Sequence, residues 1–326
     1  MLEKIKSYIF SQADKEGGFL QSPVRGFIGK ADGAVSEIAS SVYAAEVAMT
    51  LDFELPYYKK TAEYIQKRQD PEGYFRNLAP LPGCFTEDYN LYNTCVALRG
   101  LKALGKKPKY NPRKWLDDYI LQQDKSCYRS YHPDFYANSC ASLEEELNSE
   151  CRDSLAEFLF SKQDMETGWF MQPGLKKNNF PFERNNPFTF HAVRFLRLAG
   201  LDIPYGEKIL NKFMEVQEED GSWKLGYVHG TFDACVAIRI LAGNSGVYED
   251  AVKRAANWSA GCWVDKTGGF NHFGKDAGIH GFPPDLPAEM DATYFHVSTL
   301  VMGGILKSKL TNENRWIGWG HTLCKD

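Results

Sequence analysis

The sequence predicts an all-α fold: a single domain over residues 1–326, an (α/α)6 toroid of six helical-hairpin repeats. Two observations lead there. A short joint recurs six times at spacings of about 40 to 55 residues, the period of stacked helical pairs. The helices around the joints alternate between apolar on nearly every face and apolar on one face, and no segment alternates like a strand. Buried and half-exposed helices in turn fit two concentric rings.

The joints read "QADKEGGF" (12–19), "QDPEGYF" (69–75), "QQDKSCYRSY" (122–131), "QDMETGWF" (163–170), "QEEDGSW" (217–223) and "DKTGGF" (265–270). The third lacks its Gly and the sixth its Gln. Asp turns the chain through side-chain hydrogen bonds, and Gly supplies the positive φ that ends a helix. The Phe, Trp or Tyr covers the gap between neighbouring hairpins with a large apolar area.

Helices after the joints are apolar almost all round: "SEIASSVYAAEVAMTL", "EDYNLYNTCVALRGLKALG", "YANSCASLEEEL", "FTFHAVRFLRLAG", "FDACVAIRILAG" and "TYFHVSTLVMGGIL". These form the predicted inner ring. Helices before the joints, such as "YYKKTAEYIQKRQ" and "DAVKRAANWSAG", carry a charged stripe and belong outside.

Composition narrows the function. The 326 residues are 43% hydrophobic and 25% charged with net charge -4, enough for a large core and no basic field for nucleic acid. A local basic patch, "KKNNF" (176–180), is the exception. The eight cysteines show no CxxC pair and read as reduced thiols. The N-terminal stretch is an amphipathic helix rather than a signal peptide, and the longest apolar run, "VSTLVMGGIL", is about half a bilayer span. A cytoplasmic protein with no transmembrane segment is expected.

Candidate chemistry centres on "VHGTFDACVAIRIL" (228–241), which places Asp233 and Cys235 at the mouth of an apolar helix. Aligning "CVALR" (95–99) with "CVAIR" (235–239) sets Asn93 opposite Asp233. Aligning the last repeat sets His296 opposite Asp233 and Ser298 opposite Cys235. In that register Asp233, Cys235 and His296 converge as metal ligands: a thiolate, a carboxylate and an imidazole around zinc, with the fourth position open. The alternative for each is structural: a helix N-terminal acid, a small buried thiol and a core histidine with one hydrogen bond.

At these residues the chain resembles the β subunits of the protein prenyltransferases, within the superfamily that includes squalene and terpene cyclases. The resemblance runs through nearly the whole chain by its "Q…DGGF" joints, with "DAC" (233–235) and "FHVS" (295–298) matching the family's zinc segments. It implies a zinc-bound protein or peptide thiol attacking an allylic diphosphate, and a separate helical α subunit. Zinc deprotonates a thiol whose ordinary pKa is about 8.5. The prenyl group would lie against inner-helix aromatics, for which Tyr89, Tyr92, Tyr136, Phe188, Phe190 and Tyr294 are candidates; simple core packing is the other reading of each. Where the family holds diphosphate with Arg, Lys, Tyr and His, this chain has Tyr227, Gly230, Val236 and Asn185, with His229 and Lys224 as partial substitutes.

Two further readings stand beside the transferase. A terpene cyclase of the protonation-initiated type would use a buried Asp, and "EMDAT" (289–293) offers Asp291, which also reads as a helix N-cap, as does Asp88 in repeat two. The segment 188–204 also resembles the cyclase helix, but in that register Pro187 takes the acid position. No DDxxD motif for diphosphate ionisation occurs. The third reading is a non-catalytic toroid that binds an isoprenoid, another hydrophobic small molecule or a peptide. His272, Asp276 and His280 fall in "GGFNHFGKDAGIHGFPPD", read as a solvated rim loop. The closing "RWIGWGHTLCKD" is expected to pack its two tryptophans across the base of the ring.

Overall fold

The computed structural model describes residues 1–22, 36–77, 86–171, 182–223, 227–243, 246–281 and 285–308, without the side chains of 36, 86–88, 182–184, 276, 279 and 280. The expectations placed on Lys224, Cys84, Cys324, "KKNNF", the C-terminal tryptophans, and the side chains of Asp88, Asp276 and His280 lie outside the described residues.

Among the described residues there are twelve α-helices, alternating outer and inner. The outer helices are α1 (Leu2–Ser11), α3 (Tyr58–Gln66), α5 (Arg113–Leu121), α7 (Ser149–Phe160), α9 (Gly206–Glu215) and α11 (Gly246–Gly261). The inner helices are α2 (Ile38–Thr50), α4 (Thr86–Ala103), α6 (His132–Leu143), α8 (Phe182–Leu198), α10 (Val228–Ala242) and α12 (Met290–Met302). Each inner helix packs on the next, and α12 packs back on α2, which closes the ring. Every residue of α12 is buried, whereas α9 buries Ile209, Leu210 and Phe213 on one face. The difference follows from the sequence, apolar all round in one and striped in the other.

The joints are the mortar. Gln69 Nε2 donates to Gly73 O (2.8 Å) in its own joint and to Tyr110 O (2.6 Å) ahead of the next outer helix. Gln163 and Gln217 repeat the bridge, to Gly168 and Pro204 and to Gly221 and Ala251. Gly73 sits at φ 109°, and a Cβ there would lie 2.6 Å from Pro112 Cα, so the recurring glycine serves close approach as well as the turn. The last joint does the same against the first helix: a Cβ on Gly268 would lie 2.6 Å from Lys4 O. That contact, with Lys4 paired to Asp265 at 3.2 Å, seals the outer ring. Short antiparallel pairs edge two joints, Phe19–Leu20 with Ser36–Glu37 and Trp263–Val264 with Gly269–Phe270.

One hydrogen bond recurs and sets the depth of every helix that makes it. The joint aromatic's backbone N–H donates to a hydroxyl on the following inner helix: Phe19 to Ser41, Phe75 to Thr94, Phe170 to Thr189, Trp223 to Thr231 and Phe270 to Thr293, all at 2.8–3.1 Å. Counting from this joint hydroxyl gives the structural register. It sets Cys95 one residue past the hydroxyl and Cys235 four past it, so matching "CVALR" to "CVAIR" slips the helices by three residues. It also pairs His296 with Ala234 rather than with Asp233.

Candidate active site

Residues on one helix face recur at i, i+3 and i+4. The joint hydroxyl points outward to the joint, so the face towards the ring axis comprises the positions two before it and one, two and five after it. Two before stand Tyr92, Pro187, His229 and Asp291. One and two after stand Phe190 and His191, Phe232 and Asp233, Tyr294 and Phe295. Five after stand Glu46, Arg99 and Arg194.

The first of these levels holds a polar cluster. Asp291 is the second residue of α12, while Glu289 is that helix's N-cap, so Asp291 lies two residues past the cap position. Both carboxylates are buried. Gln21 Nε2 donates to Asp291 Oδ1 at 2.5 Å, and the backbone N–H of Ala292 donates to the same oxygen at 2.7 Å. His272 Nε2 lies 3.2 Å from Asp291 Oδ1 and 2.5 Å from Glu289 Oε2. His229 Nε2 approaches Asp291 Oδ2 at 3.9 Å, and its ring stacks on His272 with centroids 5.3 Å apart. Tyr227, Phe273 and Phe295 wall the two imidazoles with their rings.

His272 is no rim residue. It is 5% exposed, because the chain after the last joint is pinned on three sides. Asn271 Oδ1 accepts the N–H groups of Phe273 and Gly274 and folds the segment into a 3-10 turn, Gly274–His280. Val228 N donates to His272 O, and Glu289 N to Phe270 O. The same glycines that read as a solvated loop are what let the chain turn the imidazole inward.

The three residues expected to gather around zinc are not brought together. Among the described residues, the His, Cys, Asp or Glu group whose ligand atoms all lie within 4.8 Å of one another is His229, His272 and Asp291. Asp233 shares the inward register of Phe295. Cys235 and His296, at four and three past the hydroxyl, turn towards the outer ring. The α10 helix begins at Val228, so Asp233 and Cys235 lie well inside it, where residues two apart point about 200° apart. His296 packs on Trp258 and Phe270, and its Nε2 meets Asn271 O at 2.9 Å. Burial pushes the Cys235 thiol up to about 12, the opposite of what a metal-binding thiolate needs.

The aromatic candidates divide by the same rule. Tyr294 stacks on Tyr43 at 4.8 Å, and Phe190 meets Phe232 at 6.0 Å, both inside the ring. Tyr92 shares a 3.1 Å hydroxyl contact with Tyr43, and Tyr89 packs beside Tyr92. Tyr136 instead donates to Asp117 Oδ1 on α5 (2.6 Å), and Phe188 packs on Phe158 of α7, so these two belong to the wall between the rings.

Two buried histidines set opposite pH limits on stability. Burial alone would lower His272, but the Asp291 charge and hydrogen bonds to Asp291 and Glu289 outweigh it and raise the imidazole to about 9. Burial lowers His296 to about 3, and its bond to the Asn271 carbonyl only partly opposes this. A folded-state pKa above the unfolded value of about 6.5 gives stability that is present below that pH and lost as pH rises towards 9. A depressed histidine gives the reverse: stability falls as pH drops below about 6.5. Urea midpoints measured across pH should therefore decline on both sides, and His272→Gln should flatten the alkaline limb. An alkaline limb unchanged in His272→Gln would contradict this assignment.

Below the polar cluster, the ring's interior is charged as well. Arg99 Nε donates to Glu46 Oε1 at 3.0 Å, and its other nitrogen pairs with Glu46 Oε2. Arg194 meets Asp134 at 3.2 Å, and His191 Nδ1 meets the same carboxylate at 2.7 Å.

Comparison with known proteins agrees with this architecture. The sequence profile of the prenyltransferase alpha-alpha toroid domain matches residues 2–125 and 114–241. The structure is similar to that of the type II terpene cyclase MstE from Scytonema: a variant bound to its substrate geranylgeranyl dihydroxybenzoate gives TM-score 0.55 at 14% identity, covering 93% of this chain and 95% of that one. The apo form gives 0.56 at 13% identity, with 93% and 95% covered. A protein from Actinoplanes gives 0.57 at 13% identity, covering 93% of this chain and 98% of that one. Identities this low carry the fold alone. No curated protein matches the chain. No helix of the described residues is long and apolar enough to cross a membrane.

Proposed function

The chain belongs to the prenyltransferase alpha-alpha toroid family, and from that footing we propose that it is an isoprenoid-processing enzyme of the protonation-initiated type, with Asp291 as the acid. The observation that carries this reading is the setting of Asp291: buried, fixed by Gln21 and His272, and level with an aromatic lining. The reading requires a carboxyl that carries its proton yet gives it up readily. In the free protein the His272 charge holds Asp291 as the carboxylate; the reading has the His272 proton pass across the 3.2 Å contact to Asp291 once substrate excludes water, where burial and the adjacent Glu289 carboxylate oppose the charged form. The proton adds to an alkene, the cation forms at the more substituted carbon, and a second double bond closes on it. Loss of a proton from the final cation makes the product an isomer of the substrate. Tyr294, Phe295, Phe232 and Phe190 offer π faces to the cation on the way. Incubation with geranyl, farnesyl and geranylgeranyl substrates in D2O tests it: a cyclised product should carry solvent deuterium.

The metal grouping favours a second reading. A zinc ion at Asp233, Cys235 and His296 does not fit, because Cys235 and His296 face the outer ring. A divalent metal at His229, His272 and Asp291 fits, with two imidazoles and a carboxylate in reach. Bound there, it would supply Lewis-acid polarisation. Metal binding must release the His272 proton, so the urea titration repeated with added zinc distinguishes the readings. Loss of the alkaline limb supports the metal, and an unchanged limb counts against it.

A further inference from the structure

Asp134 lies buried in the first turn of α6, the helix opposite α12 in the ring, and ties α6 to α8. Its Oδ1 accepts from Asn138 Nδ2 at 2.6 Å, and its Oδ2 from Arg194 Nη1 at 3.2 Å and His191 Nδ1 at 2.7 Å. A carboxylate offers only lone pairs. The proton of the last contact therefore belongs to Nδ1, and the neutral ring carries its lone pair on Nε2. His191 stands on the inward face of α8, with the rings of Phe190, Phe135 and Tyr131 at 4.9, 5.5 and 6.4 Å. Among the inward residues, Tyr92, Pro187 and His229 are half-buried two positions before the joint hydroxyl, and His191 is half-buried two after it. With 13% of the His191 side chain exposed, the opening at this end of the ring reaches down to its imidazole.

We infer that His191 is the base that ends the reaction, two helices round the ring from Asp291. The inference rests on the protonation-initiated reading and adds the residue that fixes where the new double bond forms. A carbon next to the cation passes its proton to His191 Nε2. The electron pair of that C–H bond becomes the double bond and discharges the cation. The imidazolium left behind sits against the Asp134 carboxylate and gives its proton to solvent when the product leaves. Asp134 is a positioning residue: it holds the tautomer and the ring orientation, and is itself fixed by Arg194 and Asn138. The faces of Phe190 and Phe135 beside the imidazole favour a cation at that wall.

The products formed in D2O from geraniol, farnesol and geranylgeraniol by the wild type and by His191→Gln test it. Gln keeps a donor for Asp134 and removes the base. The variant should still place solvent deuterium on a cyclised skeleton, because Asp291 is intact. The wild-type alkene should fall at least about tenfold, replaced by another double-bond isomer or an alcohol. A purely structural His191 would alter yield alone, so an unchanged product pattern overturns the inference and leaves Asp291 as the acid. A folded variant that makes no cyclised product also overturns it, since the base acts after ring closure. A wild type that forms no deuterated cyclised product overturns the acid reading and the base with it. Should His191→Gln fail to fold, His191→Ala decides: added imidazole should restore the wild-type alkene, and no restoration counts against His191.

Discussion

Asp291→Asn should lower turnover by about 10²- to 10⁴-fold, the usual contribution of a positioned general acid. Asn keeps the size of Asp and an oxygen that accepts from Gln21 and from the Ala292 N–H, so the local frame around Oδ1 survives. What is lost is the carboxyl that passes the proton from His272 to the substrate, together with its ion pair to His272. The effect should fall on kcat and leave KM nearly unchanged, because a proton donor acts in the transition state rather than in binding. His272→Gln should slow the reaction less, since it changes the readiness of the proton and not its presence. A rise in KM with kcat intact would assign Asp291 to binding instead.

The second large effect concerns the centre of the ring. Arg99→Met leaves Glu46 buried without its guanidinium, and removing one partner of a buried pair costs about 3–5 kcal/mol. Glu46→Met alone should cost a similar amount. The double replacement Glu46→Met/Arg99→Met should recover most of that loss, because two apolar side chains of similar volume need no pairing. Chemical denaturation of the four proteins gives the coupling energy directly. Strictly additive losses would show that the two groups do not depend on each other.

How much of this was legible in the sequence follows from which signals are local. The toroid was readable because the joints repeat Gln, Asp, Gly and an aromatic at short range, with only the Gly of the third and the Gln of the sixth missing, and these residues do jobs the structure shows. The depth of the inner helices was harder to read. The strings "CVALR" and "CVAIR" look alike, yet Arg99 turns to the axis and meets Glu46, whereas Arg239 pairs with Glu249 of α11. The signal that fixes depth was present as single residues, Ser41, Thr94, Thr189, Thr231 and Thr293. Their distance from the joint varies from 8 residues at Trp223 to 23 at Phe270, so no fixed spacing exposes them. His272 was hidden by its glycine-rich surroundings, which speak of a loop and say nothing of where the loop points. Asp291 was visible as an acid near a helix start, but its partners Gln21 and His272 come from opposite ends of the chain and from a turn.

The most direct measurement is the isotope content of product formed in D2O. If Asp291, in exchange with solvent, starts the reaction, the cyclised product gains one deuterium, and the Asp291→Asn protein makes essentially none of it. A cyclised or transferred product free of solvent deuterium, formed equally well by Asp291→Asn, would contradict the assignment of this carboxyl as the acid.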